Sequence, residues 1–402
     1  MDDLRFDCPY AARCGGCQLA RLPYQAQLAR KQKLVEELLR PFGRVEPILG
    51  MSDPFHYRNK VHAVFSADRR GQLIWGVYEA GTHRVVPVER CLIEDERASA
   101  IVQTVGELAR SFRFAPYDED CRTGFLRHVL VRTAHATGQL LVTLVTATPA
   151  FPSKNNFVKA LLKACPDITT LVQNINDRST SMVLGQRETV LFGKGSIEDE
   201  LCGRRFRLSS KSFYQVNSAQ TERLYQTAME LAGLTGRETL LDAYCGVGTI
   251  GLCASAHAAR VIGVELNPQA VRDAQANARL NDVHNASFLC GDAGQYLRAM
   301  AARREKLDVV MMDPPRSGSD GAFLGALLTL RPRRIVYVSC DPRTLARDLR
   351  VLTDGGYRME RAVPVDMFPA TEHVENVVLL SKLDAGKRIA ADLNCRREQG
   401  NV

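Results

Sequence analysis

Leu241-Asp242-Ala243-Tyr244-Cys245-Gly246-Val247-Gly248-Thr249-Ile250-Gly251 reads as the end of a buried strand, a glycine-rich turn and the opening of a helix. Glycine at close intervals lets a backbone turn tightly and approach a ligand. Outward from this stretch the rhythm is strand, helix, strand, helix. Short apolar runs at 239–243, 261–266, 287–290, 307–313 and 334–339 are of the fully buried kind, with helical stretches between them. Runs at 357–365 and 374–383 complete a seven-stranded sheet. The pattern predicts an α/β fold, a doubly wound parallel sheet.

The acids at the strand ends separate two readings of the loop. Gly246, Gly248 and Gly251, with Glu265 closing the next strand, also fit a dinucleotide-dependent oxidoreductase. Asp242, however, sets a carboxylate beside the loop, which suits a cationic amino-acid headgroup better than a pyrophosphate. Asp292 ends the third strand, placed to hold an adenine amino group, and Met312-Asp313-Pro314-Pro315-Arg316 ends the fourth. Glu265 offers two oxygens to the vicinal hydroxyls of a ribose. Taken singly, each acid is a helix cap. Taken in order, one per strand end, they describe a pocket for S-adenosylmethionine.

The fifth strand runs into Ser339-Cys340-Asp341-Pro342. Asp341 is a natural N-cap and Pro342 a natural first helical residue. Cys340 therefore sits at a strand's carboxyl end and just before a helix N-terminus, where ligands bind and where a thiol is eased towards thiolate. Read blandly, it is one more small buried side chain.

The 402 residues carry 53 basic and 45 acidic side chains, a net charge of +8 that leans towards a polyanionic partner. No apolar run reaches the ~18 residues of a membrane helix, and the acidic start reads as no signal peptide, so a cytoplasmic protein is expected. Its twelve cysteines should then be reduced. Cys8, Cys14 and Cys17 have the spacing C-x5-C-x2-C, and Cys91 is the next cysteine in the chain. Four such thiols suit zinc or an iron–sulfur cluster equally. Residues 19–40 form a helix whose Arg30, Lys31 and Lys33 are expected on a solvated face. Residues 45–208 alternate strands and turns as an α+β domain, with Arg122, Arg127, His128 and Arg132 as a basic stripe able to grip phosphates.

Five motifs, in order along nearly the whole chain, resemble the RNA uracil-C5-methyltransferases: Phe213-Tyr214-Gln215-Val216-Asn217, Asp242 to Gly248, Asp313-Pro314-Pro315-Arg316, Ser339-Cys340-Asp341-Pro342, and Phe368 to Glu375. The resemblance implies a Rossmann-like class I methyltransferase sheet, with cofactor contacts from Gln215, Tyr244, Glu265 and Asp313 and with Asp292 near the adenine. It implies Cys340 as nucleophile and Glu375 as base. It implies a [4Fe–4S] cluster on Cys8, Cys14, Cys17 and Cys91. The family's transfer-RNA members lack those cysteines, which favours 23S ribosomal RNA as substrate. The shorter ribosomal branch, without a leading β-barrel RNA-binding domain, is the nearer match in length, although the cysteine spacing is nearer that of the longer branch. Thr249 stands where many members carry Asn. The expected organisation is an iron–sulfur module at 1–45 completed by Cys91, a central RNA-binding domain at 46–210, a methyltransferase domain at 211–385 and a charged tail at 386–402. A monomer acting away from membranes is expected. The competing functions are transfer-RNA methylation, the dinucleotide oxidoreductase, and an RNA-binding protein with a relic pocket.

Overall fold

The computed structural model describes residues 4–179 and 182–383. The chain divides into two compact units, neither of them contiguous. One, here the cysteine unit, comprises Met1–Gln27, Met51–Thr221 and Phe368–Glu372; the other, the glycine-loop unit, comprises Leu28–Gly50, Glu222–Met367 and the chain from His373. Leu28–Gly50 thus leaves the 1–45 segment that the sequence suggests as one module, and the expected tail at 386–402 lies outside the described residues. Among the described residues no helix is long and apolar enough to cross a membrane.

The glycine-loop unit is built on β1 (Arg44–Val45), β2 (Thr239–Ala243), β3 (Arg260–Glu265), β4 (Ala286–Cys290), β5 (Val309–Met312), β6 (Arg334–Ser339), β7 (Tyr357–Val365) and β8 (Glu375–Lys382). Their order is β1-β7-β8-β6-β5-β2-β3-β4. Strands β2 to β6 are mutually parallel, and β8 runs antiparallel between β6 and β7. The seven expected strands are all present. The eighth, β1, pairs parallel with β7, Arg44 opposite Arg361. Strands β2, β5 and β6 are buried along nearly their whole length, as parallel strands covered by helices are. Leu241, Ile262, Val310, Ile335 and Val378 of the sheet pack with Leu324, Leu345 and Leu349 of its helices, and with Val35 and Leu39.

The helix Tyr24–Leu39 departs from the expected solvated face at one residue. Lys31 is 1% exposed, and its Nζ donates to Asp366 Oδ1 at 2.5 Å. A lysine four residues from Val35 reads as surface charge; its buried partner lies more than three hundred residues away in sequence, where no local pattern reports it.

The cysteine unit has its own seven-stranded sheet, in the order Val85–Pro87, Leu73–Tyr78, Lys60–Ala67, Leu126–Thr133, Leu140–Thr146, Ile168–Ile175, Arg187–Phe192. All neighbours are antiparallel except Leu140–Thr146 with Ile168–Ile175, which the helix Lys154–Ala164 connects. That helix and Glu96–Ser111 cover the face carrying Val61, Phe65, Val129, Val131 and Val142.

Candidate active site

Register alone sets up the site in the glycine-loop unit. Ala243 lies beside Val264 and Met312, Glu265 beside Cys290, Met312 beside Tyr337, and Ser339 beside Asn376. The residues ending these strands therefore fall along one edge of the sheet: Tyr244, Glu265, Asp292 just past β4, Asp313 and Cys340. Because β8 runs the other way, its first residue, Glu375, arrives at the same edge.

The glycine loop is braced from below. Glu265 Oε2 accepts from Gly246 N at 3.1 Å and its Oε1 from Asn267 N at 2.8 Å. Asp242 Oδ2 accepts from Gly251 N at 2.8 Å, while its Oδ1 is buried without a partner. A Cβ on Gly251 would stand 2.8 Å from that carboxylate, and one on Gly248 2.9 Å from the Phe288 ring. Both glycines are there for close approach. Tyr244 holds φ +63°, a conformation costly for a side chain of its size. Its hydroxyl lies 3.4 Å from Ser319 Oγ and its ring 5.3 Å from that of Phe323. Thr249 shares a 2.9 Å hydrogen bond with the buried Tyr225 hydroxyl. Asp292 caps the helix Ala293–Ala302 through Gln295 N at 2.7 Å, the ordinary duty of an acid at a strand end.

Burial makes this edge reluctant to carry charge. Asp313 and Glu375 are driven well above the usual carboxylate range, chiefly by burial, and Asp313 raises Glu375 further while Arg316 lowers it. Asp242 is pushed up to about 7 by burial, with Asp313 and Glu265 adding to the rise against the Gly251 N–H. The Cys340 thiol is pushed up to about 11 by burial, then by Glu375 and Asp313; Arg316 pulls the other way. Glu375, Asp313 and Arg316 therefore lie within electrostatic reach of Cys340. Asp341 caps the following helix through Arg343 N at 2.9 Å, as its position after Cys340 predicts.

Sequence reading missed the support behind this edge. Asp348, fully buried on the helix Pro342–Asp354, accepts from the Tyr337 hydroxyl at 2.6 Å, from Ser319 N at 2.8 Å and from Arg347 Nε at 2.8 Å. It thereby ties the loop after Asp313 to the strand that ends at Cys340. Its signal was available: an acid beside Leu345, Leu349 and Leu352 on an otherwise apolar stripe.

Gln215 lies in the cysteine unit, where its carbonyl accepts from Asn59 Nδ2 at 3.0 Å. The same unit holds Cys8, Cys14, Cys17 and Cys91, all partly buried free thiols. Gly15, at φ +66°, closes the turn between two of them; a Cβ there would stand 2.4 Å from Ala80 Cβ. Cys17 is pushed up to about 12 by burial, then by Cys14 and Cys8; Cys91 is pushed up to about 12 by burial, then by Glu94, with Cys17 a smaller cause. The fold thus gathers the four thiols within electrostatic reach. Among the described residues, however, no group of three or more His, Cys, Asp or Glu side chains stands in a metal-holding geometry.

The basic stripe requires correction. Arg127, His128 and Arg132 are 3%, 5% and 2% exposed, so they do not form a solvated face. Arg127 Nη1 donates to the carbonyls of Asn176 and Arg178 at 3.0 and 2.9 Å, and its guanidinium stacks 4.2 Å from the Tyr117 ring. His128 lies 3.1 Å from the His62 ring nitrogen. Only Arg122 of the four is exposed. The alternation of charged and apolar residues was real, but the second face of this strand is covered.

Comparison with known proteins agrees with the geometry. Residues 23–383 match the family described as tRNA (Uracil-5-)-methyltransferase. An uncharacterized RNA methyltransferase of Halalkalibacterium halodurans is 44% identical over 384 residues, covering 94% of this chain and 84% of the relative. One of Listeria monocytogenes is 43% identical over 377 residues, covering 93% and 83%. The crystal structure of Pyrococcus abyssi tRNA (uracil-54, C5)-methyltransferase in complex with S-adenosyl-L-homocysteine aligns with a TM-score of 0.76 at 27% identity, covering 91% of this chain and 85% of that one.

Proposed function

The chain belongs to the tRNA (uracil-5-)-methyltransferase family, S-adenosylmethionine-dependent enzymes acting on RNA uracil C5, and on that premise we propose that it methylates a specific uridine of 23S ribosomal RNA through a covalent adduct of Cys340. The observation that carries this reading is the meeting of Cys340, Glu375, Asp313 and Arg316 at one sheet edge. Uracil C5 is too weak a nucleophile to be methylated unaided. Addition of the Cys340 sulfur to C6 raises electron density at C5. Arg316, a cation that favours the Cys340 thiolate, supports that attack. Glu375 then removes the C5 proton, and the sulfur leaves as the ring regains its double bond. A carboxylate raised by burial is a stronger base than a solvated one, which suits that step.

The residues fit the cofactor. Glu265, with both oxygens at the rim of the glycine loop, would hold the ribose hydroxyls; Asp292 would meet the adenine; Tyr244 and Asp313 would line the remainder. Bound there, S-adenosylmethionine supplies the electrophilic methyl group. The four thiols fit a [4Fe–4S] cluster by their chemistry: they are soft donors and partly buried. That cluster motif is also what favours ribosomal over transfer RNA. The resemblance to the Pyrococcus abyssi enzyme favours transfer RNA instead. Naked 23S RNA, transfer RNA and free uridine, compared as methyl acceptors in one assay, decide: we expect methylation of 23S RNA alone, and preference for transfer RNA overturns the ribosomal reading while leaving the chemistry intact.

A further inference from the structure

The strand Lys60–Ala67 lies antiparallel to Leu126–Thr133, with Lys60 directly opposite Arg132. Like charges facing each other across a sheet are destabilising. Lys60 is half-buried, yet its ammonium forms no ion pair among the described residues. The charges acting on it are two more cations, Arg132 and Arg58. Arg58 is tied in place by its Nε, which donates to the Lys60 carbonyl at 3.2 Å. Arg132, 2% exposed, donates from Nη2 to Ser212 O at 2.6 Å, but its Nη1 is buried without a partner. Tyr214 and Asp199 are the groups that offset Arg132, and Asp199 already accepts from Ala136 N at 2.8 Å and from the Tyr214 hydroxyl. His62, next along the same face, is kept neutral by burial and by Lys60 and Arg58. Glu94 lies within electrostatic reach of Arg58, but no acid pairs with Lys60 among the described residues; Lys60 and the orphan Arg132 Nη1, with Arg58 and Lys60 still reached by solvent, make a cationic socket.

We propose that Arg58, Lys60 and Arg132 seat a phosphodiester of the RNA substrate. The seat rests on the RNA-methylation reading above. The ammonium of Lys60 faces the phosphate as a point charge, and Arg132 Nη1 lends a fixed donor from beneath. A cation cluster held half-buried costs the free protein stability and is compensated when the phosphate arrives.

The test uses the full-length protein and its Lys60→Met and Lys60→Arg variants. RNA affinity is measured over a salt series, and melting temperature with and without inorganic phosphate. Lys60→Met should bind RNA about tenfold more weakly at ~0.1 M salt and flatten the logarithmic salt slope by about one. It should melt higher than wild type in the absence of RNA, because a repulsion has gone; a purely structural lysine would give a lower melting temperature. Phosphate should raise the melting temperature of wild type and Lys60→Arg, and not that of Lys60→Met. Unchanged affinity and slope in Lys60→Met, with wild type methylating RNA normally, overturn the seat alone. Should wild type methylate no RNA while phosphate still protects it and not Lys60→Met, the seat stands and the methylation reading falls.

Discussion

Each unit buries a cluster of ionisable groups, and the two clusters differ in sign. In the glycine-loop unit the buried groups are acids gathered at one sheet edge: Asp242, Asp313 and Glu375, with the Cys340 thiol among them. In the cysteine unit they are bases strung along a strand pair: Lys60, His62, His128 and Arg132. Burial acts the same way on both, favouring the neutral form. The consequences differ because the acids sit where strands end and can reach a ligand, whereas Arg127 among the bases is locked to backbone carbonyls.

The largest break in this contrast is Cys340→Ala. Methyl transfer should fall by about 10⁴ or more, as when any enzyme loses its nucleophile, while cofactor affinity by calorimetry stays near wild type and the protein remains folded. Glu375→Gln comes next, with turnover reduced by about 10² to 10⁴ for the lost proton transfer. An RNA adduct resistant to denaturing electrophoresis should accumulate, and should vanish in the double variant with Cys340→Ala; normal turnover without adduct would move the base elsewhere.

Arg127→Ala inverts the pattern. Removing a buried guanidinium that satisfies two carbonyls should cost about 3 kcal/mol in urea unfolding followed at Trp75, the single tryptophan and a member of the same unit. The chemistry per folded molecule should be unaltered. A full loss of salt dependence instead would return Arg127 to the phosphate-binding role its sequence suggests.

The gentlest test is pH, and the signs oppose. His62 and His128 are depressed to about 4 and about 3 by burial and neighbouring cations. Their contribution is intact above the ordinary histidine value of 6.5 and is lost as pH falls through those lowered values. Asp242, raised to about 7, with Asp313 and Glu375 raised in the same direction, behaves in reverse: its contribution is intact below the ordinary value of 3.8 and is lost as pH rises through about 7. Segment-resolved hydrogen exchange should find the cysteine unit weakening on acidification and the glycine-loop unit weakening on alkalinisation. Parallel trends in both would dissolve the contrast.

Which of these features the sequence disclosed follows from range. Buried parallel strands announce themselves as apolar runs, and a cap such as Asp341 or a turn such as Gly246 to Gly248 is encoded within a few residues. The strand-end acids and Cys340 were legible for that reason. Lys31 with Asp366, β1 beside β7, and the covered face of Leu126–Thr133 were not, because each depends on a partner from a distant part of the chain. Asp348 lay between: its stripe was visible, its three donors were not.

The interleaving of the two units also governs the order in which the molecule can be born. As the chain leaves the ribosome, Leu28–Gly50 emerges early, yet β1 pairs only with β7, and Lys31 must await Asp366, 335 residues later. The cysteine unit waits as well: Gln27 Oε1 accepts from Ala370 N, a closure 343 residues in span. At ~5–20 residues per second of synthesis, those early segments stay unsatisfied for tens of seconds. Neither unit can finish before nearly all of the chain is made, so a nascent chain stalled short of residue 366 should be a substrate for chaperones and proteases rather than half of an enzyme.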